Sequence, residues 1–316
     1  MKALRNYHFF DDQGVVQEYD ESKFRSLKPQ DRVTPPKAMV GCMIESYQEL
    51  LLKIAELNYS NQDLSLVFRG QSQDFQTNSN NTSSGLYPSI FRNPPSGSNY
   101  SAPKIVDFKF KLLNAASNEL KESAHLLPLR VQKNIRNIEV LRWALIQHYE
   151  IADTPYLDLT PFLGTALNFA LQGATDFCYI YVVGLPNQNN IYSGSVVDSI
   201  ESIYLPRYCP PEFTRPHIQS GFVVGEFPPV TSYVDRREAG ETRAPYNFHN
   251  RLVGKFKIPV SFDREGLAVL SPEFLLPTDD VFLDVSKNIK QRLEPNVTVL
   301  NRVLNGESND LMFREL

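Results

Sequence analysis

An arginine at the end of an apolar strand is the first residue whose position suggests chemistry. Apolar residues alternate with others from Leu64 to Phe68, which is the period of a β-strand. Arg69 then faces away from Leu64 and Phe68, and Gly70 follows it. A guanidinium suits phosphate or carboxylate, and a glycine lets a ligand approach the backbone closely. The pair indicates an anion site, and the alternative is a structural salt bridge beside a turn glycine.

A histidine near residue 150 is the second candidate. The apolar spacing predicts a helix over 131–150 with His148 on its apolar stripe and Gln147 beside that stripe. A histidine in this place is commonly a core residue bonded to a backbone carbonyl. The functional alternative is that His148 donates a hydrogen bond that orients a loop at a strand end.

The segment "YLDLTP" follows and carries two polar side chains. A short strand over 156–159 would put Asp158 and Thr160 on one face. Thr160 suits a helix N-cap and Pro161 the first helical position. The N-terminus of that helix would favour a phosphate, although both side chains could also serve only as caps.

The segment "RPHIQSGFVVGEF" supplies the last candidates. We expect a strand over 217–227, interrupted by glycine. Gln219 and Glu226 could bind a ribose hydroxyl or polarise a leaving group.

Several function classes are disfavoured. The sequence has no P-loop, GxGxxG or GxSxG motif, no CxxC pair, and no histidines at i,i+3 or i,i+4, so no metal site is expected. The net charge of −4 gives no global basic field for nucleic acid. The N-terminal residues do not resemble a signal peptide and no apolar run is long enough to span a membrane, so a cytoplasmic protein without a membrane partner is expected.

The remaining patterns predict the elements that position these residues. Helices are expected over 47–59 and 104–123, strands over 64–69, 178–185 and 252–262, and a long loop over 71–103 in which 85–92 is ordered. This order predicts an α+β fold. We expect an N-terminal extension or strand pair over 1–40, a main domain over 41–285, and a C-terminal helix and tail over 286–316.

Four separated stretches together resemble the FRG domain family. They are "FRGQS" from Phe68, "LYPSIFR" ending at Arg92, "QHYEIADTPYLDLTPFLGTALNFA" from Gln147, and "RPHIQSGFVV" followed by "FKIP". The resemblance covers roughly residues 44–285. Glu150 stands where the family often has glycine, and Pro155 stands where many members have arginine, so this chain cannot make a ligand contact that depends on that arginine.

The FRG layout is similar to that of the ADP-ribosyltransferase superfamily, which implies a split β-sheet core flanked by helices and NAD as a substrate. In that layout Arg69 would hold the NAD diphosphate, Gly70 the nicotinamide amide, and Thr160 the nicotinamide ribose. Gln219, or else Glu226, would hold the ribose 2′-hydroxyl, with Asp158 as a further source of charge. The residues that the resemblance implies for nucleotide binding are Arg69, Gly70, Gln71, Arg92, His148, Asp158 and Thr160.

The resemblance thus implies transfer of ADP-ribose to a protein or nucleic-acid acceptor, an activity that would suit a toxin or phage-defence effector. The alternative is a non-catalytic module that binds a nucleotide or a partner. A nuclease or hydrolase has little support, since metal ligands and a catalytic triad are lacking.

Overall fold

The computed structural model describes residues 2–28, 32, 34–78, 81–92, 102–187, 192–196, 198–227 and 248–304. Residues 93–101 of the predicted loop, residues 228–247, and residues 305–316 of the predicted tail therefore lie outside the described part. The chain forms two compact units. The first contains Met1–Leu86, Leu159–Asn190 and Asn247–Leu275, and the second contains Tyr87–Asp158, Ile191–Tyr246 and Leu276–Leu316.

The elements confirm a mixed α+β protein with several sheets. The strands are β1 Asn6–Phe10, β2 Val16–Asp20, β3 Cys42–Met43, β4 Leu64–Gln71, β5 Gln76–Asn78, β6 Asn81–Ser84, β7 Leu157–Leu159, β8 Phe177–Pro186, β9 Tyr192–Ser195, β10 Ile200–Tyr204, β11 Phe222–Glu226 and β12 Leu252–Pro259. The α-helices are α1 Glu21–Ser26, α2 Tyr47–Ser60, α3 Ala102–Glu122, α4 Leu129–Asn137, α5 Glu139–His148, α6 Leu163–Leu171, α7 Thr214–Ile218, α8 Pro272–Leu275 and α9 Phe282–Leu304. Among these, no helix is long and apolar enough to cross a membrane.

The first unit is built on a sheet with strand order β3-β12-β8-β4. The central strand β8 is rich in β-branched and aromatic residues and runs antiparallel to both β4 and β12. Apolar residues of α2 and α6 pack with one face of this sheet, where Phe68, Ile180 and Phe256 are buried. The strand pair β1–β2 adds Phe9 to the same core, which confirms the strand pair expected within residues 1–40.

The second unit combines a sheet of order β7-β11-β10-β9 with helices α3, α4, α5 and α9. Its core contains Trp143, Tyr149, Tyr156 and Phe282, each at most 1% exposed. Asp280 lies two residues before the start of α9, and its carboxylate accepts hydrogen bonds from the Phe282 N–H and the Tyr149 hydroxyl.

The single helix expected over 131–150 is wrong, because the chain breaks at Ile138 into α4 and α5. The buried guanidinium of Arg142 explains the break. Its Nη1 donates to the carbonyls of Ile135 and Arg136 at 2.9 and 3.2 Å. These carbonyls end α4 and would otherwise lack partners, so a side chain of the next helix completes the first one.

Two further predictions need correction. The strand expected over 217–227 is instead α7, ending at Ile218, followed by β11 from Phe222. The loop expected over 71–103 contains the hairpin β5–β6, and the ordered part of it is a 3-10 helix at Ser89–Phe91. The predicted boundaries at residues 40 and 285 stay a prediction.

Candidate functional site

Arg69 lies on the face of the first sheet opposite to α6. It pairs with Tyr181 on β8, and Tyr181 pairs with Lys255 on β12, so the three side chains form one row across the sheet. The next row begins with Gln71, whose Oε1 is buried and has no hydrogen-bond partner within the described residues. The predicted orientation of Arg69, away from the apolar side of β4, is therefore confirmed.

The packing of α6 against β4 requires a glycine at position 70. A β-carbon there would lie 1.8 Å from the carbonyl oxygen of Ala166 and 2.8 Å from the amide nitrogen of Ala170, because α6 crosses the strand at this point. The interpretation that the missing β-carbon makes room for a ligand is wrong, since the helix backbone occupies that space.

The main-chain groups of Gly70 point in another direction. The N–H and C=O of Phe68 exchange hydrogen bonds with Thr160 at 2.8 and 2.9 Å, on the side of β4 that faces away from β8. Residues two apart in a strand direct their main-chain groups to the same side. The N–H and C=O of Gly70 are therefore directed to the same edge of the sheet as the bonds between Phe68 and Thr160.

Thr160 is 6% exposed and lies two residues before the N-cap of α6. The predicted helix start at Pro161 is wrong, because α6 begins at Leu163 with Phe162 as its N-cap. The Thr160 hydroxyl still accepts a hydrogen bond from the Phe162 N–H at 3.2 Å, so it fixes the turn into the helix.

Asp74, an acidic residue that we did not predict from the sequence, bonds two members of the row that Arg69, Tyr181 and Lys255 form. The carboxylate of Asp74 accepts hydrogen bonds from the Tyr181 hydroxyl at 2.7 Å and the Lys255 ammonium at 2.6 Å. Lys255 is fully buried and also donates to the Met39 carbonyl at 2.6 Å. Burial, and then the Asp74 charge, raise the pKa of Tyr181 well above its ordinary value. The available signal was the lysine within the predicted strand 252–262, because a charge that becomes buried in a sheet requires a partner.

The second unit joins the residues of the "QHYEIADTPYLD" stretch into one hydrogen-bond network. The carboxylate of Asp158 is bonded to the Gln147 amide at 2.7 Å and to Nδ1 of His148 at 3.3 Å. The Gln147 carbonyl oxygen accepts a hydrogen bond from the Thr154 hydroxyl. His148 thus contacts a carboxylate and not the backbone carbonyl that the structural alternative predicted.

The His148 ring is held from a second side by a glycine. His148 is 3% exposed, and a β-carbon on Gly221 would lie 2.7 Å from its Cε1 atom. Gln219 lies two residues before Gly221, at the C-terminal end of α7, and is 7% exposed. Glu150, which follows the helix, has a φ of 53°, a conformation that favours glycine.

The other two predicted residues of this unit have separate surroundings. Glu226 is the last residue of β11, pairs with Ile200 and is half-buried. Arg92 is exposed and donates from Nε to the Tyr87 carbonyl at 3.3 Å. The strand end that carries Arg69 and Gly70 pairs with Thr160 through Phe68 in the first unit, and His148 bonds Asp158 in the second. That these residues share one nucleotide site stays a prediction.

Another residue not predicted from the sequence is a fully buried glutamate on β10. Glu201 accepts hydrogen bonds from the hydroxyls of Tyr156 and Tyr192, the latter at 3.1 Å. Burial raises the pKa of Glu201 to about 7, although the two tyrosine hydrogen bonds oppose that rise. The paired position on β11 is Gly225, where a β-carbon would lie 2.3 Å from the Tyr156 ring. The sequence signal was weak, since a glutamate in a short strand normally faces solvent.

No group of acidic, histidine or cysteine side chains in the described residues could hold a metal ion. All three cysteines are buried, and burial raises the pKa of Cys178 to about 11. Comparison with known proteins gave no matching family model, no matching curated protein and no matching solved structure.

Proposed function

We propose that this chain is an FRG-domain protein with an ADP-ribosyltransferase-like fold that binds NAD and transfers ADP-ribose to a macromolecular acceptor. The observation that carries the proposal is the main-chain pairing between Phe68 and Thr160. It joins the Arg69-Gly70 strand end to the threonine segment, two motifs that stand some 90 residues apart in the sequence.

In the proposed reaction the bond between the nicotinamide nitrogen and ribose C1′ breaks, and its electron pair leaves with nicotinamide. The acceptor's nucleophile forms the new bond to C1′ and releases a proton. Positive charge develops on the sugar in between, so an enzyme accelerates the reaction through contacts that strengthen only then.

The residues of the first unit fit the binding of NAD. Arg69 supplies a fork of donors for the diphosphate. Gly70 directs its N–H and C=O to the sheet edge, where an amide such as that of nicotinamide can accept from one and donate to the other. Thr160 lies beside them and fixes the entry into α6. The resemblance assigns the ribose 2′-hydroxyl to Gln219 or Glu226, with Asp158 as a further source of charge.

The test is incubation of the purified chain with NAD labelled in the nicotinamide ring, with release of nicotinamide followed over time. We expect release by the wild type, and we expect a loss of about 100-fold or more in kcat/KM for Arg69→Ala, the magnitude typical for removing one charge-stabilising donor. Arg136→Ala, at an exposed arginine on α4, is the matched control and should leave the rate unchanged. Absence of both nicotinamide release and an NAD-induced rise in Tm would refute the proposal.

A non-catalytic binding module is the second candidate. It is favoured by Gln219, which is uncharged and so stabilises a sugar cation less than a carboxylate would. This candidate predicts that NAD raises Tm through Arg69 while no nicotinamide is released.

A further inference from the structure

We infer that Tyr181 and Lys255 form an anion-binding subsite in the first unit, and that the carboxylate of Asp74 occupies it as an internal ligand that an external anion displaces. The external ligand is a compound that carries a carboxylate or a phosphate group. The inference goes beyond the proposed function, because it assigns residues to which the resemblance gives no role and it requires no NAD.

The two donors of this subsite belong to the rigid part of the unit. Tyr181 lies on β8, Lys255 pairs with it on β12, and both strands are interior strands of the sheet. Both side chains are fully buried. The Met39 carbonyl accepts a hydrogen bond from the Lys255 ammonium at 2.6 Å, which helps to fix the position of the charge. Since burial raises the pKa of Tyr181, its hydroxyl remains a donor.

The acceptor, in contrast, belongs to a segment outside the sheet. Asp74 lies within residues 72–75, which connect β4 to β5. Its neighbours Gln73 and Phe75 are exposed, whereas the side chain of Asp74 is only 13% exposed. The carboxylate therefore joins this connecting segment to the face of the sheet. A displacement of the segment would remove the acceptor and leave both donors in place.

The contacts of Asp74 define the chemistry of a ligand that replaces it. One carboxylate oxygen accepts from the Tyr181 hydroxyl at 2.7 Å, and the other accepts from the Lys255 ammonium at 2.6 Å. A ligand must therefore present two neighbouring oxygens that share a negative charge, as carboxylates and phosphates both do. A neutral ligand would leave the buried ammonium without a counter-charge, which is strongly unfavourable.

The closed arrangement carries costs that allow a ligand to compete with Asp74. The Oε1 atom of Gln71, the last residue of β4 before the connecting segment, is buried and has no hydrogen-bond partner within the described residues. A buried acceptor without a partner is unfavourable, and a movement of the adjacent segment would admit water to it. In a buried ion pair such as that of Lys255 with Asp74, the cost of removing both charges from water offsets much of their attraction.

The experiment titrates the full chain with inorganic phosphate and, separately, with acetate, and measures binding by calorimetry at an ionic strength held constant with sodium chloride. In the wild type, an anion binds only the fraction of molecules in which Asp74 has left the subsite, so removing the Asp74 carboxylate raises the apparent affinity by the inverse of that fraction. We expect Asp74→Ala to bind phosphate or acetate about tenfold or more tightly than the wild type does, and the tighter of the two anions identifies the ligand group. Asp63→Ala, which removes an exposed acid of the same unit, is the matched control and should bind both anions as the wild type does.

A fluorescent label tests the displacement itself. All three native cysteines are buried, so a maleimide fluorophore attached to Gln73→Cys reports on the connecting segment. The tighter-binding anion, at saturation, should lower the fluorescence anisotropy of this label in an otherwise wild-type chain, because the segment leaves the sheet. The same label on Gln62→Cys, at an exposed residue before β4, is the control and should show no change.

Adding Tyr181→Phe or Lys255→Met to Asp74→Ala should weaken or abolish the gained affinity, since each change removes one donor of the subsite. The inference is overturned if the wild type binds neither anion, or if folded Asp74→Ala binds them no more tightly than the wild type. Asp74→Asn, which keeps the shape of the side chain and removes its charge, replaces the alanine variant if that variant does not fold. An unchanged anisotropy of the label at position 73, or full affinity in both double variants, also overturns it. None of these measurements involves nicotinamide, so their outcome is independent of the proposed function.

Discussion

Replacing Glu201 with glutamine should make the second unit less sensitive to alkaline pH. The carboxyl of Glu201 has a pKa of about 7 because it is buried, compared with an ordinary value of 4.5. An acid whose pKa is raised on folding releases its proton more readily in the unfolded chain. Its contribution to stability is therefore complete below about pH 4.5 and is lost as the pH rises to 7 and above.

The magnitude follows from the size of the shift. A difference of one pKa unit corresponds to about 1.4 kcal/mol, so the full effect of this group is on the order of 3 kcal/mol. Most of it, about 2.5 kcal/mol, develops between pH 5 and pH 8. The Glu201→Gln variant has no ionisable group at position 201. Its free energy of unfolding should therefore increase relative to that of the wild type by about 2.5 kcal/mol between pH 5 and pH 8.

Trp143 offers a local probe, since it is the one tryptophan in the sequence and its ring lies 6.4 Å from that of Tyr156, which bonds Glu201. Urea unfolding followed by tryptophan fluorescence at several pH values gives the required difference. Glu122→Gln, at an exposed glutamate that ends α3, is the control and should show no such trend. A difference between Glu201→Gln and the wild type that stays constant from pH 5 to pH 8 would refute the reasoning.

Two further substitutions test the first unit. Gly70→Ala should prevent stable folding or lower Tm sharply, because the new β-carbon would lie 1.8 Å from the Ala166 carbonyl oxygen. Gly164→Ala is the control: its β-carbon would have no contact nearer than 3.8 Å, so Tm should stay unchanged or rise slightly. Equal Tm values for the two variants would contradict the packing of α6 on β4. Lys255→Met should cost about 3–5 kcal/mol of unfolding free energy by denaturant titration, because Asp74 would keep its charge without its buried cation, and adding Asp74→Asn should recover part of that loss. If the unfolding free energy lost by the double variant equals the sum of the losses of the two single variants, the ion pair between Lys255 and Asp74 does not stabilise the fold.

Local patterns predicted the regular elements well where side-chain period and composition agreed. The strand β8 and the helix α3 lie within a residue or two of the expected bounds. The prediction of a single helix over 131–150 failed at a point where side-chain hydrogen bonds, and not apolar spacing, shape the chain. Arg142 ends α4 through two carbonyls, and no local pattern near Ile138 signals that break.

The candidate site shows the same division. By itself, the sequence determined that Arg69 lies opposite the apolar side of its strand, and it marked His148, Asp158 and Thr160 as residues to explain, because strand and helix periods are local properties of the chain. Only the tertiary structure decided that Gly70 serves the crossing of α6, that His148 holds Asp158, and that two unsuspected carboxylates, Asp74 and Glu201, bond to tyrosine hydroxyls. The physical reason is that these contacts join residues far apart in sequence, where burial and hydrogen bonding depend on packing that no single segment encodes.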